Sequence, residues 1–249
     1  MSEFKFPTEL VELPSKGLIY PEDHPLRKGT VEIKYMTAKE EDILTNQNYI
    51  EKGTVLEKLL ESLVIGNINL KDIFPGDKNA ILIASRILGY GSEYKFMYND
   101  TEHTVDLSEL KNKPFDESLI NSNGNFEFIL PKSENKVEIK LLRETDEEKI
   151  NEELKGLKKI NKSLSADVTT RLKHMIVSIE GKSDKSEIKT FVENYLLAQD
   201  ARSLRKFVQS VSPDVDMNYT TDSGEEVAVP ISINFFGLTI NSASISRLN

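Results

Sequence analysis

Apolar residues recur every three or four positions in several parts of the chain, which is the pattern of helices with one buried face. The clearest case is residues 55–65, where Val55, Leu59 and Leu63 share a face and charged residues occupy the other. A capping box at Thr37 and Glu40 predicts where the preceding helix begins. Further helices are predicted at 77–89, 145–160, 166–179, 185–197 and 201–208. The expected N-terminal caps of four helices are Thr54, Asp77, Thr145 and Asp200.

Elsewhere apolar and polar residues alternate, and this alternation predicts β-strands. A single strand is expected at 30–35, and hairpins are expected at 94–107, 126–141 and 215–235. Pro230 interrupts the last of these runs and favours an edge strand there. Together these patterns predict an α+β fold, with several short amphipathic helices packed with small antiparallel β-hairpins.

The same patterns divide the chain into four parts. Residues 1–28 contain Pro7, Pro14, Pro21 and Pro25, which exclude a helix and predict an extended Pro-rich N-terminal arm. Residues 29–143 hold the first strand, the first helices and two hairpins, and residues 144–237 form a helical segment that ends in a C-terminal hairpin. Residues 238–249 are expected to be a polar tail.

Charge and composition exclude several classes of protein. The chain has 32 basic and 41 acidic side chains, and its net charge of −9 argues against a nucleic-acid partner. It has no cysteine, which excludes disulfides and thiolate metal sites. No apolar run approaches the roughly 18 residues of a membrane-spanning helix, and the N-terminus does not resemble a signal peptide. We therefore expect a cytoplasmic protein with neither a nucleic-acid nor a membrane partner.

Motifs of catalysis and cofactor binding are missing from the sequence. Residues 89–91 begin a G-x-G pattern, but position 94 is Tyr94 where the dinucleotide fingerprint needs glycine. The three histidines, His24, His103 and His174, lie far apart in an expected turn, strand and helix. A histidine needs an oriented partner to act as a base or a metal ligand. We therefore expect no enzyme, no cofactor and no metal site, and we look for function in the surface.

Two sets of residues are candidates for binding a partner protein. An extended arm can lie along a groove or a sheet edge at small entropic cost, and its apolar residues are Phe4, Phe6, Leu18, Ile19 and Tyr20. The alternative is that the arm packs on the protein's own core.

The second set is a pair of arginines. Arg202 and Arg205 lie three residues apart on a predicted helix and can bind a partner carboxylate in bidentate fashion. The alternative is an internal ion pair between Asp200 and one of them.

Several motifs carry a resemblance to a known family. They are LPSKGLIYP at 13–21, GTVEI at 29–33, MTAKEEDILT at 36–45, KGTVL at 52–56, DARSLR at 200–205 and PDVD at 213–216. Together they resemble the baseplate protein family of T4-like tailed phages, over about residues 13–236. The resemblance implies a phage baseplate hub assembly factor, a chaperone-like catalyst of an early step in tail hub formation. Its partners would be other baseplate hub proteins, in the host cell cytoplasm, and it would be absent from the mature virion. The alternative within the family is a structural subunit of the baseplate hub retained in the virion.

Many members of this family carry zinc-binding cysteine pairs at their hairpin tips. The corresponding tips here are 98–101 and 219–222, and neither contains a cysteine. The resemblance therefore implies that this chain has lost the metal and holds its hairpins together by packing alone.

Overall fold

A computed structural model of the chain describes residues 7–160 and 166–237. The helices of this part are α1 (Ala38–Leu44), α2 (Gln47–Glu51), α3 (Val55–Leu63), α4 (Pro75–Tyr90), α5 (Glu144–Ile160), α6 (Asp167–Met175), α7 (Lys185–Asn194) and α8 (Ala198–Val211). The strands are β1 (Thr8–Glu12), β2 (Thr30–Lys34), β3 (Glu93–Tyr98), β4 (Thr101–Asp106), β5 (Phe126–Ile129), β6 (Lys136–Ile139), β7 (Ile176–Ile179), β8 (Asn218–Thr220) and β9 (Glu226–Ala228). Short helices combined with small sheets confirm the expected α+β class.

The strands form small antiparallel sheets with the orders β1-β2, β3-β4, β5-β6-β7 and β8-β9. The expected hairpins at 94–107 and 126–141 are confirmed. The C-terminal hairpin is shorter than expected, because only three residues of each strand pair. The residues that follow form a 3₁₀ turn at Ile233–Phe236, which buries Phe235 and Phe236 instead of extending the sheet.

The N-terminal segment is part of the first sheet. β1 pairs with β2 from Thr8 opposite Lys34 to Glu12 opposite Thr30, and Leu13 N–H donates to the carbonyl of Gly29 over 2.9 Å. Of the two possibilities for the described part of the arm, the structure therefore shows the alternative, packing on the protein's own core, and not a free partner-binding segment. Backbone pairing with β2, together with burial of the turn between the two strands, holds this segment against the rest of the chain.

The segment at 166–179 is also different from the prediction. We expected one helix, but α6 ends at Met175 and the next four residues form β7, which pairs with β6. Ile176, Val177 and Ile179 are β-branched, and such residues favour strands. Pairing with β6 decides the outcome, because it places Ile179 opposite Val137 and Ile176 opposite Ile139.

Three of the four expected helix caps lie inside the helices. α4 begins at Pro75 and α8 at Ala198, so Asp77 and Asp200 belong to the first turns, and their carboxylates bind other parts of the chain. α5 likewise begins before Thr145. Thr54 does precede α3, but its side chain makes no capping hydrogen bond. The capping box at Thr37 is confirmed.

Buried apolar side chains form one connected cluster that draws on the N-terminal, middle and C-terminal thirds of the described chain. Its largest fully buried members include Tyr20, Ile33, Leu59, Phe126 and Phe235. Because residues from distant parts of the chain share this core, the turn before β2 and the 3₁₀ turn after β9 are both parts of the same packed structure.

A buried carboxylate, that of Glu40, joins β2, α1 and α3. One oxygen accepts from Lys34 Nζ over 2.7 Å and from Ser62 Oγ over 2.6 Å, and the other accepts from Thr37 N–H over 2.8 Å. Burial alone would raise its pKa, but these hydrogen bonds outweigh burial and lower the pKa of Glu40 to about 2. The folded state therefore holds the ionised form more strongly than the unfolded chain does.

This pKa predicts how stability depends on pH. Because the folded pKa is depressed below the ordinary value of 4.5, the contribution of Glu40 is present above that pH and is lost as the pH falls toward 2. Glu40→Gln should lower the free energy of unfolding by up to about 3 kcal/mol at pH 7, and the difference from the natural chain should shrink at pH 3. Urea unfolding at pH 7, 5 and 3 measures this. The exposed Glu51→Gln is the control, and equal stabilities of the natural chain and the Glu40 variant at pH 7 would contradict the prediction.

Candidate partner-binding surface

The apolar residues expected to protrude from the arm are placed differently by the structure. Phe4 and Phe6 lie outside the described residues. Leu18 is half-buried, whereas Ile19 and Tyr20 are buried in the core with exposures of 3% and 1%. The expectation that Ile19 and Tyr20 bind a partner is therefore corrected: in this fold they pack on the protein's own core.

The Tyr20 ring is held by polar as well as apolar contacts. Its hydroxyl donates to Asp77 Oδ2 over 2.7 Å and accepts from Phe74 N–H over 3.1 Å. Asp77 also accepts from Ser15 N–H over 3.0 Å and from Ser15 Oγ over 2.7 Å. Burial raises the pKa of Asp77 despite these hydrogen bonds, and burial beside Asp77 raises the pKa of Tyr20. We call Ser15, Tyr20 and Asp77 the buried polar cluster; it attaches the β1–β2 connection to α4.

Gly17, in the same connection, also has a structural role. Gly17 has φ +77°, and a Cβ there would lie 2.3 Å from the carbonyl oxygen of Arg27. Arg27 Nη1 donates to the carbonyl of Leu18 over 2.6 Å and to that of Tyr20 over 3.0 Å. The first motif of the family resemblance therefore consists of residues that shape and bury a turn, and a binding surface has to be sought elsewhere.

The arginines of α8 are exposed, and Asp200 does not pair with them. The Asp200 carboxylate is buried and accepts from Lys132 N–H over 2.7 Å and from Ser133 N–H over 3.0 Å. The alternative of an internal ion pair with an arginine is therefore wrong. Arg205 Nε donates to the carbonyl of Ala201 over 3.3 Å, and Arg202 makes no ion pair with any described residue.

Packing fixes the direction in which α8 faces. Leu204 is fully buried, and the Phe207 ring stacks on Phe128 of β5 with 4.5 Å between ring centroids. On the opposite side the helix exposes Arg202, Arg205 and Lys206, which we call the cationic face of α8. In a chain of net charge −9, this face is a local concentration of positive charge.

Two exposed apolar residues precede this face. Tyr195 and Leu197 are 66% and 45% exposed, in the connection between α7 and α8. The sequence pattern predicted that the preceding helix extends to residue 197. α7 instead ends at Asn194, so both residues lie in the connection that follows it. Exposed aromatic side chains such as that of Tyr195 are enriched in protein–protein contacts.

The tips of the hairpins meet through aromatic rings. Tyr219 of β8 contacts Phe96 and His103 of the other hairpin, each with 5.7 Å between ring centroids, and Tyr98 Oη donates to Glu225 over 2.6 Å. Within the described ranges no group of three or more His, Asp or Glu side chains is arranged to hold a metal ion. The two hairpins are thus joined by ring packing and a hydrogen bond.

The other histidines have local partners. His24 Nδ1 accepts from Leu26 N–H over 3.2 Å, and its ring stacks on Tyr20 at 4.7 Å. His174 Nε2 lies 3.0 Å from Glu153 Oε2.

None of the helices in the described chain is both long enough and apolar enough to cross a membrane.

Comparison of the chain with protein-family models, with curated proteins and with solved structures finds no match.

Proposed function

We propose that this protein is a baseplate hub assembly factor of a tailed phage, which assists an early step of tail hub formation by transient contacts with other hub proteins. The resemblance of the sequence motifs to the phage baseplate family supports this role, and the cationic face of α8 is the surface proposed to contact the partner. The observation that carries the proposal is that Arg202 and Arg205 are exposed side by side on a helix held in place by Asp200 and Phe207.

The arrangement suits reversible binding. Arginine binds carboxylates through paired hydrogen bonds, and a helix that is already ordered loses little further entropy when a partner docks. A factor that speeds assembly must bind an intermediate better than it binds either the free subunit or the finished hub, because equal affinity for all states shifts no equilibrium. A small surface of charged side chains can be bound and then released.

The proposal predicts where the protein is found. Mass spectrometry of purified tails should find no stoichiometric copies of this chain, whereas infected cells should contain it together with unassembled hub proteins. Copies in a fixed ratio to the hub subunits would overturn the assembly-factor role and favour the alternative, a structural subunit of the hub retained in the virion.

Reversing the charges of α8 should separate function from stability. Arg202→Glu combined with Arg205→Glu removes two charge-assisted contacts of about 1.5–3 kcal/mol each, so the yield of assembled hubs in infected cells should fall by at least about tenfold. Thermal unfolding should be nearly unchanged, because both side chains are exposed.

The matched control is Lys28→Glu combined with Lys52→Glu, which makes the same change in net charge at two other exposed positions. An equal loss of yield in both variants would attribute the effect to net charge and contradict a specific role for α8.

A further inference from the structure

A cavity of about 640 Å³ opens between α5, α6, β7 and α7. This volume lies within the range of about 300–1,000 Å³ that is usual for ligand sites. Its lining includes five lysines, Lys140, Lys149, Lys173, Lys185 and Lys189. The acids in the lining are Asp146 and Glu153, so cations outnumber anions in a chain that is acidic as a whole.

The two acids are neutralised by the deeper lysines. Asp146 pairs with Lys140 over 2.6 Å, and Glu153 pairs with Lys173 over 2.8 Å. Burial alone would raise the pKa of Glu153, but the hydrogen bonds from Lys173 and His174 lower it below its ordinary value. Glu153 therefore remains ionised at neutral pH, and each of the two acids has a lysine partner within the cavity.

Three lysines remain unpaired at the opening. Lys149 on α5, and Lys185 and Lys189 one turn apart on α7, are exposed and make no ion pair with any residue that the structure describes. Below them the floor is apolar, because Ile176 and Ile188 are buried and Val177 is half-buried. The cavity thus combines an apolar floor with a rim of three free positive charges.

We propose that this cavity binds a short acidic segment of another protein, which places apolar side chains on the floor and carboxylates against the three rim lysines. Cations on two separate helices match carboxylates spaced along a peptide better than they match the compact charge of one phosphate. Backbone amides are not free to hold phosphate either, since the first N–H groups of α7, those of Ser186 and Glu187, already donate to Asp184 Oδ1 over 2.9 Å. The inference rests on the cavity alone and does not depend on the phage role.

A labelled peptide tests the inference with the full chain. The probe is a fluorescein-labelled hexapeptide of four glutamates and two leucines, followed by fluorescence anisotropy. We expect saturable binding that weakens as sodium chloride rises from about 0.05 M to about 0.5 M, because salt screens exposed charges. The triple change Lys149→Gln, Lys185→Gln and Lys189→Gln should weaken binding at least about tenfold.

Matched variants and peptides make the outcome decisive. Lys28→Gln, Lys39→Gln and Lys52→Gln together remove the same charge from exposed positions outside the cavity and should leave the affinity unchanged. A peptide with glutamine for glutamate, and another with serine for leucine, should each bind more weakly than the probe. Equal binding by the rim variant and the control variant would overturn the proposal. Displacement of the probe by pyrophosphate at a lower concentration than by unlabelled peptide would also overturn it, in favour of a phosphate ligand.

Discussion

Replacing Asp77 with alanine is expected to lower the free energy of unfolding by about 3 kcal/mol, because it leaves several buried donors without an acceptor. Asp77 is 1% exposed and accepts from Ser15 N–H, Ser15 Oγ and Tyr20 Oη. While the turn stays folded, these donors are buried and cannot bond to water instead. Urea unfolding monitored by circular dichroism at pH 7 measures the loss.

Two further variants test whether the lost acceptor oxygens of Asp77 cause the loss of stability. Asp77→Asn keeps the size of the side chain and one acceptor oxygen, so it should lose less stability than alanine. Asp42→Ala, at an exposed position of α1, should change stability by less than about 0.5 kcal/mol. A loss below about 1 kcal/mol for Asp77→Ala would mean that the buried polar cluster does not hold the turn.

Gly17→Ala is expected to cost at least about 2–3 kcal/mol, because two effects add at this position. The residue has φ +77°, a conformation that L-residues rarely adopt, and the new Cβ would lie 2.3 Å from the carbonyl oxygen of Arg27. The turn would have to move away from Arg27, and Tyr20 would move with it. The same unfolding experiment measures the effect.

Gly181→Ala is the matched control for this change. Gly181 has the same φ of +77°, but a Cβ there would meet no atom within 4 Å, so only the backbone cost of about 1 kcal/mol is expected. The difference between the two variants isolates the steric contact with Arg27. Equal losses would show that this contact is relieved without disturbing the turn.

The sequence correctly predicted those helices and strands that depend only on residues close together in the chain. The capping box of Thr37 and Glu40, the apolar face of α3 and the alternation in β3 and β4 need only neighbours in the sequence, and each is present. Asp77 and Asp200 were misinterpreted as caps because each carboxylate finds partners about sixty or more residues away, which no local pattern reveals. The strand β7 was missed for the same reason, since its pairing with β6 crosses the whole of α5 and α6.

The features of the candidate site were likewise predictable from the sequence only in part. The sequence placed Arg202 and Arg205 three residues apart on a helix, and both lie on α8 and are exposed. The burial of Ile19 and Tyr20 did not follow, because Pro-rich segments can be either free or packed, and the contact with Asp77 decides between the two. The lysine-rimmed cavity was missed because its walls come from four elements. The spacing of Lys185 and Lys189 was the only local sign of it.

The hydrogen bonds from Lys132 and Ser133 to Asp200 would favour a partner that contacts both of the proposed binding surfaces. They join α8 to the turn between β5 and β6, while β6 pairs with β7, the strand that forms one wall of the cavity. The arginine-bearing helix is therefore connected, through the β5–β6 turn and β6, to the β7 wall of the cavity. A bivalent partner whose two acidic stretches span the separation would bind the second as an intramolecular step, with an avidity far above either contact alone, and cutting the linker between those stretches would release it.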